Sequence, residues 1–129
     1  MNGWSYDIKI LPDIAIIKGP NASGKTVLLD RIAAAHKNYP LVVRINASKL
    51  RPAEGDNIAS EIIRCSGGSC NTNSILLIDD TYTLGTKEMK ELCKWLKNAN
   101  DIKNPCRRVA KAYVTSIGNK FVVSKLILD

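Results

Sequence analysis

Short apolar runs along the chain alternate with longer segments in which apolar residues recur every three or four positions. The runs predict buried strands at residues 13–18, 41–45, 75–80, 110–115 and 120–128, and the alternating residues 5–10 predict an opening strand. The longer segments predict helices at 27–35, 56–65 and 86–98, the last one capped by Thr86. Strands that alternate with helices indicate an α/β fold, in which a mostly parallel sheet of about five strands carries helices on both faces.

An eight-residue segment between the strand at 13–18 and the helix at 27–35 follows the pattern G-x-x-x-x-G-K-[ST]. It consists of Gly19, Pro20, Asn21, Ala22, Ser23, Gly24, Lys25 and Thr26. The glycines allow a tight curve whose N–H groups point at phosphate oxygens, and the helix adds the positive end of its dipole. We predict a phosphate-binding loop in which Lys25 reaches the β- and γ-phosphates of a nucleotide and Thr26 ligates Mg²⁺. A glycine-rich turn that matches by chance is the alternative.

Four apolar residues followed by two carboxylates end the strand at 75–80. This pattern is typical of a buried parallel strand that delivers its acids to the edge of the sheet where ligands bind. We predict that Asp79 holds Mg²⁺, directly or through water, and that Asp80 orients the water that attacks the γ-phosphate. A core strand followed by a turn is the alternative, but the loop upstream favours the functional interpretation.

The loop and the acidic strand resemble the Walker A and Walker B motifs of P-loop NTPases, in particular the additional-strand ATPase group. With Pro20 and Asn21 inside it, the loop is similar to that of ABC-type ATPases, including the chromosome-maintenance and mismatch-repair branches, more than to RecA or AAA+ proteins. Residues 66–69 resemble the Ser-Gly-Gly-Gln signature of that family, residues 79–86 its Walker B and D-loop run, and residues 113–116 its switch-histidine strand. The resemblance implies a minimal ABC-type ATPase with ATP and Mg²⁺ as cofactors.

Several features of the ABC-type family are missing from the sequence. The segment between Ser69 and the acidic strand is too short for the helix that normally carries the signature, and a plain turn is the alternative at 66–69. The catalytic Glu of the family is replaced by Asp80, and Ser116 is the residue nearest to its switch His. No glutamine-bearing loop or helical subdomain is recognisable. Because a displacement of about 1 Å can cost on the order of 10²-fold in rate, we expect slow hydrolysis.

Length and composition fit one small domain. The chain has 129 residues, of which 45% are hydrophobic and 24% charged, and this predicts one continuous core over residues 1–129. The apolar runs are too short and interrupted to span a bilayer, and the first residues lack the basic-then-apolar order of a signal peptide. A cytoplasmic protein without membrane insertion is the expectation.

The charge balance adds candidate partners, because 19 Lys and Arg against 12 Asp and Glu give a net charge of +7, which attracts phosphate polyanions. One basic stripe is predicted along the helix at 86–98, where nucleic-acid binding and an ordinary solvated face are the alternatives. It consists of Lys87, Lys90, Lys94 and Lys97. A second basic group precedes the strand at 110–115 and consists of Lys103, Arg107, Arg108 and Lys111.

Such a small P-loop domain leaves its γ-phosphate face open, and efficient P-loop ATPases usually complete that face with an arginine or a signature element. We therefore expect self-association on ATP binding, with residues 66–69 or the pair Arg107 and Arg108 acting from a second copy. For the base, the ABC-type resemblance implies an adenine-stacking aromatic near Trp4 and Tyr6. A core or edge-strand role is the alternative for these two residues.

Metal and thiol chemistry have weak support in the sequence. The four cysteines contain no C-x-x-C pair, so free thiols are favoured over zinc ligation, with a Cys65–Cys70 bridge as an alternative. The single histidine, His36, is predicted to lie on the surface of its helix.

Three functions follow from these observations. The preferred one is an Mg-dependent ATPase that hydrolyses ATP to ADP and phosphate to drive or gate a partner. A small-molecule or nucleotide kinase, with Arg107 and Arg108 as lid residues, is the first alternative. The second is a non-hydrolysing, nucleotide-gated module that binds nucleic acid or a larger assembly.

Overall fold

The secondary structure follows the predicted alternation of strands and helices. The computed structural model describes residues 8–39, 41–50, 74–104 and 109–128. Their strands are β1 (Ile14–Gly19), β2 (Leu41–Asn46), β3 (Ser74–Asp79), β4 (Val109–Ile117) and β5 (Val122–Lys125). Their α-helices are α1 (Lys25–Ala35) and α2 (Thr86–Asn100). The helix predicted at 56–65 lies outside the described residues.

The strands form one sheet in the order β2-β3-β4-β1-β5. The pairs β2–β3, β3–β4 and β4–β1 are parallel, and β5 runs antiparallel to β1. The predicted mostly parallel α/β sheet is therefore confirmed. Its antiparallel strand has a simple cause: only residues 118–121 connect β4 to β5, whereas a return in the same direction needs a crossover of a dozen or more residues.

One helix packs against each face of the sheet, as predicted. On one face, α1 contributes Leu28, Leu29 and Ile32 to a buried cluster with residues of β1, β3 and β4. On the other face, α2 contributes Leu92, Leu96 and Ala99 to a second buried cluster. The residues of β3 alternate between the two clusters, which explains why four consecutive apolar residues precede its acids. This burial fixes β3 and, with it, the position of Asp79.

Three local predictions were wrong. Residues Ile8–Ile10 form a 3-10 turn and not a strand; β1 already has β4 and β5 as neighbours on its two sides. Thr86 is the first residue of α2 and does not cap it, because Gly85 holds the N-cap position. His36 is buried at the end of α1, where its Nδ1 lies 2.7 Å from the Ile32 oxygen, because the ring folds back onto the helix.

Within the described residues, neither α1 nor α2 combines the length and the apolar character that a membrane-spanning helix requires.

Candidate functional site

The predicted phosphate loop joins the carboxyl end of β1 to the first turn of α1. Ala22 has φ 61° and Gly24 has φ 96°, so the backbone turns through the left-handed region twice. A Cβ at Gly19 would lie 2.6 Å from Ser23 Oγ, so any side chain here would displace the Ser23 hydroxyl. Gly24 is the N-cap of α1 and offers no side-chain cap. The first N–H groups of α1 lack the usual side-chain acceptor, as in an anion-binding helix terminus.

The hydroxyl of Ser23 supplies a second indication of what the loop accommodates. Its Oγ is buried and has no hydrogen-bond partner among the residues that the structure describes. Buried polar atoms normally have a partner, so an orphaned hydroxyl inside a loop of this shape fits an acceptor oxygen supplied by a ligand. A phosphate group matches both the hydroxyl and the backbone of the loop.

Lys25, the first residue of α1, is buried and holds two parallel strands at their carboxyl ends. Its Nζ donates to the Gly19 oxygen at 2.7 Å and to the Ser116 oxygen at 3.1 Å. A lysine ammonium has three donors, so one N–H is left for a ligand in the loop. The positive charge is thus fixed next to the loop by β1 and β4 before any ligand arrives.

The carboxylate of Asp79 lies at the end of β3 and is contacted on both oxygens. Thr115 Oγ1, from β4, donates to Oδ1 at 2.5 Å. Thr26 Oγ1, from α1, lies 3.5 Å from Oδ2. Hydroxyl and carboxylate oxygens are ligands that Mg²⁺ accepts, and two that are this close can share one ion. The donor set of Thr26 and Asp79 therefore fits Mg²⁺.

Asp80 follows β3 in a strained backbone conformation, with φ 60° and ψ 43°. A non-glycine residue in this region costs on the order of 1–3 kcal/mol and persists only where its surroundings hold it. Here Thr115 Oγ1 accepts from the Asp80 N–H at 2.9 Å. The backbone carbonyl oxygen of Asp80 accepts from the hydroxyl of Thr83 at 2.8 Å. Asn46 Nδ2, from the end of β2, donates to Asp80 Oδ2 at 3.2 Å. One oxygen of the Asp80 carboxylate is therefore held by the end of β2.

Arg44 on β2 places a guanidinium beside the same acids. Its Nη2 lies 3.6 Å from Asp79 Oδ2, and its Nη1 pairs with Asp30 of α1. The side chain of Arg44 is 37% exposed, so solvent and salt screen these ion pairs. The guanidinium offsets part of the negative charge that Asp79 and Asp80 bring to the sheet edge.

A cavity of about 710 Å³ opens beside the phosphate loop, within the size range of small-molecule sites. The loop and the first turn of α1 form one wall, including Lys25 and Thr26. The connection between β4 and β5 contributes Asn119, Lys120 and Phe121 to the lining. We call these three residues the turn side of the loop, and Asp79, Asp80 and Thr115 the acidic side.

Residues 15–121 match the family model described as "ATPase family associated with various cellular activities (AAA)". The match covers well over half of the 129 residues. The chain belongs to the AAA family. A search of curated proteins found no significant match.

Membership makes the chain an ATPase-type P-loop domain, and it implies nucleotide binding. The matched segment of the AAA domain includes the loop at 19–26 and both acids. The narrower resemblance to ABC-type ATPases is not tested by this match and stays a prediction.

The fold brings most of the predicted site residues together. The loop, with Lys25 and Thr26, meets Asp79 and Asp80 at one edge of the sheet. The other predicted elements are residues 66–69, the pair at 107–108, Trp4 and Tyr6, and they lie outside the described residues. Among the described residues, Ser116 contributes its backbone oxygen, which accepts from Lys25 Nζ.

Four residues of the site in the AAA domain were not predicted from the sequence. Asn46 ends β2, and Thr115 lies near the end of β4. The segment that contains Thr115 was compared with the switch-histidine strand of ABC-type ATPases, and no role was predicted for Thr115 itself. The signal of Asn46 and Thr115 was a polar residue directly after an apolar run, because the carboxyl ends of parallel strands meet at one edge. Arg44 and Phe121 carried no such signal, since their positions depend on neighbours distant in sequence.

Proposed function

We propose that this AAA domain, as a single domain over residues 1–129, binds Mg·ATP at residues 19–26 and hydrolyses it to ADP and phosphate. The observation that carries the proposal is the approach of Thr26 Oγ1 to Asp79 Oδ2, at 3.5 Å, directly beside the phosphate loop. This places an oxygen donor pair for a cation next to a loop for phosphate, which is the pairing that a metal-bound triphosphate requires.

Each residue has a role that follows from its contacts. Thr26 and Asp79 would hold Mg²⁺, which when bound neutralises charge on the phosphates. The loop N–H groups and the remaining donor of Lys25 would stabilise charge on the transferred phosphoryl group. Because the carbonyls of Gly19 and Ser116 already orient Lys25, little reorganisation accompanies this contact.

Asp80 would position the attacking water and accept its proton as the bond between the γ-phosphorus and the bridging oxygen breaks. In the structure Asn46 donates to one oxygen of its carboxylate, which leaves the other oxygen for the water. An Asp at this place is also one methylene shorter than Glu. The shorter side chain supports slow turnover, in line with the departures from ABC-type ATPases.

Phosphate release from ATP tests this proposal. The wild type should release phosphate in the presence of Mg²⁺ and not with EDTA, and Asp80→Asn should bind ATP with unchanged affinity but release little phosphate. Equal phosphate release by the wild type and Asp80→Asn would contradict the role of Asp80. A screen of phosphate acceptors in the same assay separates the kinase alternative, because a kinase transfers phosphate to an added acceptor in preference to water.

We further propose that ATP promotes self-association of the AAA domain. Arg44, the arginine that the described residues bring to the acidic side, is paired with Asp30 and Asp79, so a second copy is the proposed source of an arginine for the γ-phosphate. Arg107 and Arg108 are the candidates that the sequence offers for action across copies. Light scattering of Asp80→Asn with ATP should report a larger mass than with ADP, because the triphosphate persists in this variant.

The basic helix α2 favours a second candidate function, a nucleotide-gated nucleic-acid-binding module. All four lysines of the stripe, Lys87, Lys90, Lys94 and Lys97, are exposed on α2. This helix follows β3 after one short turn at Thr81–Thr83, so it lies close in sequence to the acids. Salt-dependent binding of a short DNA or RNA, lost when the four lysines are changed to Gln, tests this function.

A further inference from the structure

The turn side of the cavity has no role in the chemistry proposed above, and Phe121 is its aromatic member. Pro20 and Ala22 of the loop and Val27 of α1 add apolar lining to the same cavity. Val27 is 40% exposed although it is aliphatic. A cavity lined by both polar and apolar groups suits a ligand that has a charged end and a flat apolar part.

The topology decides which end of a nucleotide would face the turn side. The donor pair of Thr26 and Asp79 lies on the β3 side of β1, whereas Phe121 leads into β5 on the opposite side of β1. The metal-bound phosphates therefore lie toward β3, and the other end of the ligand extends toward β5. In a nucleoside triphosphate, that other end is the base.

Phe121 is held at this place by the shortness of its connection. Residues 118–121 cross the end of β1, and the Gly118 N–H donates to the Gly19 oxygen at 3.2 Å. The Phe121 ring lies close to Gly19, since its Cδ2 would be 3.4 Å from a Cβ built there. The ring is therefore positioned beside the loop and also lines the cavity.

We propose that Phe121 is the base-stacking residue of this site, and that the turn side binds the nucleoside part of the nucleotide. This inference rests on the proposed function and adds the subsite for the base. It competes with the sequence-based prediction that Trp4 or Tyr6 stacks on adenine.

Calorimetric titration with Mg·ATP and with Mg·tripolyphosphate tests the inference, because tripolyphosphate has the charged end and no base. In Phe121→Leu, which keeps an apolar side chain against Gly19, ATP affinity should fall by about 5- to 150-fold, the range for loss of one base–aromatic stack. Tripolyphosphate affinity should change less than about twofold, because the phosphate contacts are retained. Val122→Ala, an exposed apolar position next to Phe121 but outside the cavity lining, is the matched control and should change neither.

A second variant keeps the test independent of folding. Phe121→Trp preserves a ring, and its added emission relative to the wild type should be quenched by ATP and not by tripolyphosphate.

Three results would overturn the inference. The first is an unchanged ATP affinity in Phe121→Leu. The second is an equal loss of affinity for ATP and for tripolyphosphate in that variant, and the third is a loss of ATP affinity confined to Trp4→Ala or Tyr6→Ala. If the wild type bound neither ATP nor tripolyphosphate, the proposed function would fail and the base site would fail with it.

Discussion

The acidic side and the turn side of the phosphate loop are built in opposite ways. On the acidic side, Asp79 and Asp80 are held by hydrogen bonds from the ends of β2 and β4. On the turn side, the cavity is open and partly apolar, and Phe121 lines it. Fixed polar groups suit chemistry, which needs charges oriented before the reaction begins. An open apolar surface suits binding, which gains from the area that a ligand covers.

This difference predicts that substitutions on the acidic side change the rate of hydrolysis, whereas substitutions on the turn side change affinity. The largest expected effect is on the rate. Asp80→Asn should lower kcat by on the order of 10²- to 10⁴-fold, the usual contribution of a positioned acid–base group, and should leave the Kd for Mg·ATP unchanged. Single-turnover phosphate release and calorimetric titration on the same preparation measure the two quantities. A matching loss of affinity would mean that Asp79 and Asp80 share one role.

Lys25 should affect the affinity for ATP most. Lys25→Ala removes a charge-assisted contact worth about 1.5–3 kcal/mol, so ATP should bind about 10- to 150-fold more weakly. Because Lys25 also donates to Gly19 and Ser116, circular dichroism must first establish that the fold is retained. Lys25→Arg is the matched control for charge. Identical titration curves for wild type and Lys25→Ala would remove the loop assignment.

The hydroxyl of Thr115 tests whether the acidic side is organised as one unit. Thr115→Val keeps the shape but removes the hydroxyl that contacts Asp79 Oδ1 and the Asp80 N–H, at a cost of about 1–3 kcal/mol in the free energy of unfolding. Urea denaturation measures that loss, and Thr115→Ser should restore most of it. If Thr115→Val were as stable as the wild type, the acids would be held by other contacts.

The smallest effect is expected at Arg44, where the contacts are exposed. An ion pair of this kind contributes about 0.2–1 kcal/mol. Arg44→Gln should therefore raise the apparent Mg²⁺ affinity of the ATP complex by about 1.5- to 5-fold, since a cation near Asp79 is removed. The gain should shrink as salt increases. A fall in Mg²⁺ affinity would indicate that Arg44 supports the site and does not compete with the metal.

Local sequence patterns predicted the parts of the fold that depend on local physics. The apolar run before Asp79 indicated a strand buried on both faces, and β3 is such a strand. The order of the strands, with β4 between β1 and β3, could not be predicted from the sequence, because hydrophobic patterns do not encode which strands pair. The direction of β5 was readable from the four residues that separate it from β4, which are too few for a crossover.

The same distinction applies to the candidate site. The loop and the two acids follow motifs whose chemistry requires those residues at that spacing. Asn46 and Phe121 come to the site only through the topology of the sheet, so they were found in the structure. The roles of residues 66–69, Arg107, Arg108, Trp4 and Tyr6 remain predictions, as does a cytoplasmic location.

The position of β1 has a consequence for how the chain folds. Both neighbours of β1 in the sheet, β4 and β5, come from residues 109–125, and Ile14 pairs with Ala112 across most of the sequence. Closing so long a loop is entropically costly, and contacts of high sequence separation slow folding. During synthesis, β1 and the loop that follows it cannot be enclosed until residues 109–125 have been made. Nucleotide binding therefore requires a completed sheet, and a bound nucleotide would stabilise the chains in which the sheet has formed.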